Sequence, residues 1–158
     1  MGNKAKRLGE LLVKKGVLTP TQLNIALERQ RSTREFLGAI LMRLGWLTEE
    51  ALLKTLAEQF VIPYVRQEDE AIDWNAAKRF SSALLMDHHC FPLRMDGQTV
   101  TVAIANPLDV WAISELEKKA GFRKIQLVLM STQEILALLK EFQRRGEGLL
   151  SQMKEEHP

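Results

Sequence analysis

The side chains best suited to chemistry near the start of the chain are of a binding kind. Arg7 carries a planar fork of donors, and Gln30 and Gln59 carry amides that both donate and accept. The two glutamines close two stretches that read alike: RLGELLVKKGVLTPTQLNIALERQ from Arg7 to Gln30, and FLGAILMRLGWLTEEALLKTLAEQ from Phe36 to Gln59. No packing rule asks for an amide at the same place twice, so the pair reads as a ligand contact. Gly9 and Gly38 make a similar point. Glycine within a helix costs up to about 1 kcal/mol relative to alanine, so its return at equivalent positions implies a close approach to the backbone.

These groups are held by a duplicated unit. Aligned without gaps, the stretches share nine residues, among them Leu8/Leu37, Leu23/Leu52 and Leu27/Leu56. The offset is a constant 29 positions, 24 of motif plus the spacer RSTRE. Each copy predicts a helix, a tight turn and a second helix. Leu8, Leu11 and Leu12 recur at helical spacing before Gly16, a left-handed C-terminal glycine. Thr19 then caps the next helix, with Pro20 at its first position and Gln22 completing a capping box. Gly45 and Thr48 repeat the scheme.

The pattern Arg-Leu-Gly, a leucine-valine pair, a glycine, two leucines four apart and a closing glutamine, written twice across a five-residue spacer, resembles the MshEN domain. The first copy matches at Arg7, Leu8, Gly9, Leu12, Val13, Gly16, Leu23, Leu27 and Gln30. The second has Leu37, Gly38, Leu41, Met42, Gly45, Leu52, Leu56 and Gln59, but Phe36 stands where the first has Arg7. The resemblance implies a place at the N-terminus of type II secretion and type IV pilus assembly ATPases, and cyclic di-GMP as ligand. It implies ligand contacts at Arg7, Leu8, Gly9, Leu23, Leu27, Gln30, Phe36, Leu37, Gly38, Leu52, Leu56 and Gln59.

For such a ligand, the arginine fork suits guanine O6 and N7 or stacks on the ring. Gln30 reaches a base edge or a phosphate, and the leucines supply apolar surface against the purines. Phe36 can stack a base but brings neither charge nor donors. Binding weaker than in a member with the full pattern, or none, is expected.

After Phe60 the periodicity changes. Residues 61–75 read as a linker, and 76–145 as an α/β half in the order β-β-α-β-α. Its hairpin turns at Asp96-Gly97, one helix closes at Gly121, and the last opens on a capping box of Ser131 and Glu134. The resemblance extends over about residues 6 to 145, and 146–158 read as a flexible tail. The fold class is therefore α+β: an all-helical half of two tandem hairpins over residues 1–60, then a small mixed-sheet half.

Composition narrows the function. Residues 1–45 hold nine lysines or arginines against three acids, a balance of +6, while the rest of the chain is −4. That asymmetry favours an anionic partner. No apolar run approaches the roughly 20 residues of a membrane helix, and the start lacks a secretory signal pattern. One cysteine, Cys90, agrees with a reducing compartment. A cytoplasmic protein with no direct membrane insertion is expected.

No GxxxxGK[ST] occurs, and no nucleophile, base and orienting group come together, so no catalytic residue is assigned. Asp87-His88-His89-Cys90 lacks a further ligand at any standard spacing, so no metal is expected. DNA binding is disfavoured because the helices after Thr19 and Thr48 carry so little positive charge. What remains is a non-enzymatic module that binds cyclic di-GMP and works with a secretion or pilus ATPase and an inner-membrane assembly protein. The alternative is a docking domain of the same machinery that has lost nucleotide binding.

Overall fold

The computed structural model describes the backbone of residues 2–156 and the side chains of residues 7–146. The chain divides into two compact units, residues 1–62 and 63–158.

The first unit is four helices: α1 (Gly2–Lys14), α2 (Pro20–Thr33), α3 (Leu37–Arg43) and α4 (Glu49–Phe60). Both turns are built alike. Gly16 and Gly45 each sit at φ 76°, in the left-handed region glycine enters without strain. Around them Val17 N–H donates to Leu12 O at 2.9 Å, and Trp46 N–H to Leu41 O at 3.0 Å. Thr19 and Gln22 form the reciprocal capping box, at 3.1 and 3.0 Å. In the second copy Thr48 Oγ1 accepts from Ala51 N–H at 3.2 Å, and the alanine cannot return the bond. The leucines that recur between copies, Leu8/Leu37, Leu12/Leu41, Leu23/Leu52, are buried in this unit's core. α1 packs on α4 and α2 on α3, so each copy lies against the other.

The second unit is a three-stranded sheet in the order β1 (Cys90–Met95), β2 (Thr99–Ile104), β3 (Lys124–Leu129). The β1/β2 hairpin is antiparallel, from Cys90↔Ile104 to Met95↔Val100, with an irregularity between Pro92 and Arg94. Its turn is tied by Asp96, whose carboxylate accepts from the N–H groups of Gln98 and Thr99, both at 2.7 Å. β2 and β3 are parallel in the register Thr99↔Lys124 to Ile104↔Leu129, joined by α7 (Val110–Ala120). Two short helices, α5 (Trp74–Ala77) and α6 (Ser82–His88), precede the sheet, and α8 (Thr132–Glu156) follows it. Phe91 sits in the core with its ring edge-on to Trp74 (5.8 Å) and Phe142 (6.0 Å).

Three sequence expectations are corrected. Residues 63–75 are not a free linker: Tyr64 pairs in parallel with Leu129, Leu129 N–H donates to Pro63 O at 2.7 Å, and Asp73 N–H to Leu93 O at 2.7 Å. The last helix does not stop near 145 but runs through Glu156; the expected tail's side chains past Gly146, and its last two residues entirely, lie outside the described residues. The capping box at α8 is only half formed. Ser131 Oγ accepts from Glu134 N–H at 3.2 Å, while the Glu134 carboxylate accepts from Gln67 N–H at 3.3 Å.

Candidate functional site

In the first unit Arg7, Glu10, Leu11 and Lys14 line a cleft of about 540 Å³ together with Glu58 and Gln59 at the end of α4. Arg7, Glu10, Leu11 and Lys14 are spaced three, four and seven residues along α1, which sets them on one helical face. Arg7 is exposed and makes no ion pair among the described residues. Glu58 is compensated from outside by Lys15, whose Nζ donates to its Oε1 at 2.7 Å. With Lys15 counted, three cations stand against two carboxylates, and the cleft favours an anion. The charged groups left to meet a ligand are the Arg7 guanidinium, the Lys14 ammonium and the Glu10 carboxylate, with Gln59 at the cleft wall.

The expected residues assemble differently from the sequence reading. Arg7 shares its cleft with Gln59, the glutamine of the other copy, and not with Gln30. Gln30 is committed elsewhere: its Nε2 donates to the backbone carbonyl of Glu35 at 3.0 Å, in the spacer just before Phe36. The copies thus cross, each glutamine lying near the other copy's first residue.

Gly9 and Gly38 are explained by packing. A Cβ on Gly9 would stand 2.3 Å from Leu23 Cδ1, and one on Gly38 2.8 Å from Leu52 Cδ2 and 2.7 Å from Phe36 Cε1. The close neighbour is the leucine of the same hairpin. Leu8, Leu23, Leu37, Leu52 and Leu56 are buried among the helices and Leu27 and Phe36 are half-buried, so as the unit stands the leucines offer little surface to a purine.

The positions related to the cleft by the 29-residue offset are Phe36, Ala39, Ile40 and Arg43, with Arg29 and Gln30. Here Glu35 intervenes. Its carboxylate holds Arg43 in a two-point ion pair, Nη1 to Oε2 at 2.7 Å and Nη2 to Oε1 at 3.0 Å, while its carbonyl takes Gln30. The Arg43 guanidinium keeps the Glu35 carboxyl below the usual carboxylate range, and Glu35 in turn raises Arg43. Neither this pair nor Glu10, Lys14 and Glu58 stood out in the repeat, because they differ between copies. The helical spacing of Arg7, Glu10 and Lys14 was the available signal.

In the second unit His88 Nδ1 lies 2.6 Å from Asp109 Oδ2, and its ring lies against Trp111 with centroids 4.8 Å apart. Asp109 also caps α7 through Ala112 N–H at 3.1 Å. Cys90 is buried, and burial, with Asp109 adding, pushes its thiol up to about 12, far from the range of a reactive thiolate. Among the described residues no group of three or more His, Cys, Asp or Glu could hold a metal ion. No helix among them is long and apolar enough to cross a membrane.

A sequence model described as the MshEN domain matches residues 60–149. The chain belongs to the MshEN domain family. That match falls on the second unit and the end of α4, whereas the repeat that carried the resemblance precedes it. Two curated relatives span both. The type IV pilus assembly ATPase PilB of Myxococcus xanthus is 26% identical over 144 residues, covering 90% of this chain and 25% of its own length. The PilB of Thermus thermophilus is 29% identical over 143 residues, 89% of this chain and 16% of its own. This MshEN chain therefore spans a quarter or less of the curated relatives it matches. A solved structure of MshE with cdg superposes with a TM-score of 0.77 at 26% identity, over 85% of this chain and 97% of that one.

Proposed function

We propose that the helical unit is a receptor for cyclic di-GMP, and that the chain serves as a non-enzymatic regulatory module of a secretion or pilus ATPase system. The observation that carries this reading is the cleft that brings Arg7 of one copy against Gln59 of the other, with a positive balance and space of the size a nucleotide needs. The likeness to MshE, solved with cdg (cyclic di-GMP), supports it, as do the PilB relatives for the machinery. Arg7 pairs with a guanine edge or a phosphate, Lys14 adds charge, and the Gln59 amide bonds the same ligand. To signal, the ligand must favour one arrangement of the four helices over another.

Titration calorimetry tests this directly. The native chain is expected to release or absorb heat with submillimolar cyclic di-GMP, and Arg7→Ala to weaken binding by about 5- to 150-fold, the worth of a bidentate arginine contact. No heat with the native chain rejects the reading. It would favour a docking domain for an inner-membrane assembly protein instead, an alternative that gains from the family match lying at residues 60–149, wholly outside the repeat.

A further inference from the structure

We infer that this unit takes its ligand by one end: the open half is a receptor for a single guanylate moiety, and Glu35 fills the other half as a resident anion. The inference rests on the reading proposed above and concerns which ligands the site distinguishes.

Two observations carry it. The first is that the open cleft holds a complete set of partners for one guanine nucleotide. Guanine presents acceptors at O6 and N7 and donors at N1 and N2. Arg7 supplies donors to the first pair, and the Glu10 carboxylate accepts from the second. Adenine has an amino donor where guanine has O6 and no N1 hydrogen, so the same two side chains disfavour it. Leu11, one turn on from Arg7 and next to Glu10, adds apolar surface on the same helix face, and Lys14, one turn further, is placed for a phosphate.

The second observation is the asymmetry of the copies. At the related positions Ala39 replaces Glu10 and Phe36 replaces Arg7, so neither edge of a second guanine is read there. Of the polar groups that remain, Arg43 is held by the Glu35 carboxylate and Gln30 by the Glu35 carbonyl, and Arg29 is exposed on α2. A two-fold symmetric ligand thus meets one equipped half and one occupied half. The cyclic link between its two nucleotides adds little, because the second nucleotide finds only the exposed Arg29 until Glu35 releases Arg43 and Gln30.

Calorimetry on the full chain with cyclic di-GMP, linear pGpG, 5′-GMP and 5′-AMP reads this out. The native protein is expected to bind cyclic di-GMP, pGpG and GMP within about tenfold of one another, with AMP at least about tenfold weaker than GMP. Glu35→Gln, which keeps the shape and removes the anion, is expected to tighten cyclic di-GMP about fivefold or more while leaving GMP unmoved. Circular dichroism of that variant checks that its helices are retained.

A native preference for cyclic di-GMP over GMP of about a hundredfold or more, unchanged by Glu35→Gln, overturns the inference and leaves the receptor reading standing. Equal binding of AMP and GMP overturns the role of Glu10. Absence of binding by every guanylate to both proteins overturns the receptor reading and the inference with it.

Discussion

At the scale of single residues, the two repeated glycines are close-packing sites. Gly9 lies against Leu23 and Gly38 against Leu52, each fourteen residues on and each the first leucine of the facing helix. Alanine would gain helix propensity at both, yet its methyl must displace packed atoms. At Gly38 the methyls of Leu52 and the Phe36 ring crowd the same point, at 2.7 to 2.9 Å, and Leu52 is 3% exposed. At Gly9 only Leu23 intrudes, and it is 9% exposed, at the edge of the core. Gly38→Ala is therefore expected to cost about 1–3 kcal/mol and Gly9→Ala less, measured by chemical denaturation. Equal effects would mean that the Phe36 ring moves aside freely. That both positions demand glycine was legible in the sequence. What demanded it was not, since a ligand and a leucine impose the same requirement on the backbone. Gln30 shows the same limit: its recurrence marked it as polar and placed, but its partner is a main-chain carbonyl that no side-chain pattern encodes.

At the scale of elements, caps and turns were the most readable features. Thr19, Thr48, Gly16 and Gly45 act where their types predict, and the Asp96-Gly97 turn joins β1 to β2. Misreadings arose where local signals met longer-range pairing. Gly146 and Gly148 look like helix breakers, yet α8 continues past them to Glu156. Pro63 to Val65 are too short to register as a strand, and their partner Leu129 lies far along the chain. One element ends against its own propensity. α4 is closed by Val61 at φ 54°, ψ 49°, a left-handed conformation that a β-branched residue adopts at a cost, and its side chain is 89% exposed with little packing to lose. Val61→Gly is expected to raise the unfolding free energy of the helical unit by about 1 kcal/mol, seen as a higher denaturation midpoint. A loss instead would show that the valine methyls make contacts worth more than the backbone strain.

At the scale of the whole chain, charge governs the response to acid. Glu35 is held low by Arg43, Asp96 by the N–H groups of Gln98 and Thr99, and Glu141, mainly through its hydrogen bond with Arg144, reaches about 2. A carboxyl whose folded value lies below its unfolded value contributes stability that is complete above the unfolded value and disappears as pH falls through the folded one. Thermal midpoints are expected to stay level from neutral pH down to about 5 and to fall between about 4 and 2. A midpoint unmoved at the acid end would mean that these three contacts do not distinguish the folded chain. The α+β class and the order of strands and helices in the second unit were readable from residue patterns, because each follows from periodicity and turn chemistry, whereas the MshEN family entered as a resemblance carried by the repeated motif and is shown by the match over residues 60–149. The placing of Arg7 and Gln59 on one cleft was not readable, because it depends on which helices meet. The hydrogen bonds of residues 63–65 carry a practical corollary. They occupy both main-chain groups of Leu129 on the outer rim of β3, so a shortened polypeptide beginning after Val65 would leave that rim bare, a place where a second molecule can add its own backbone. Trimming from the front should stop short of Pro63 if aggregates are to be avoided.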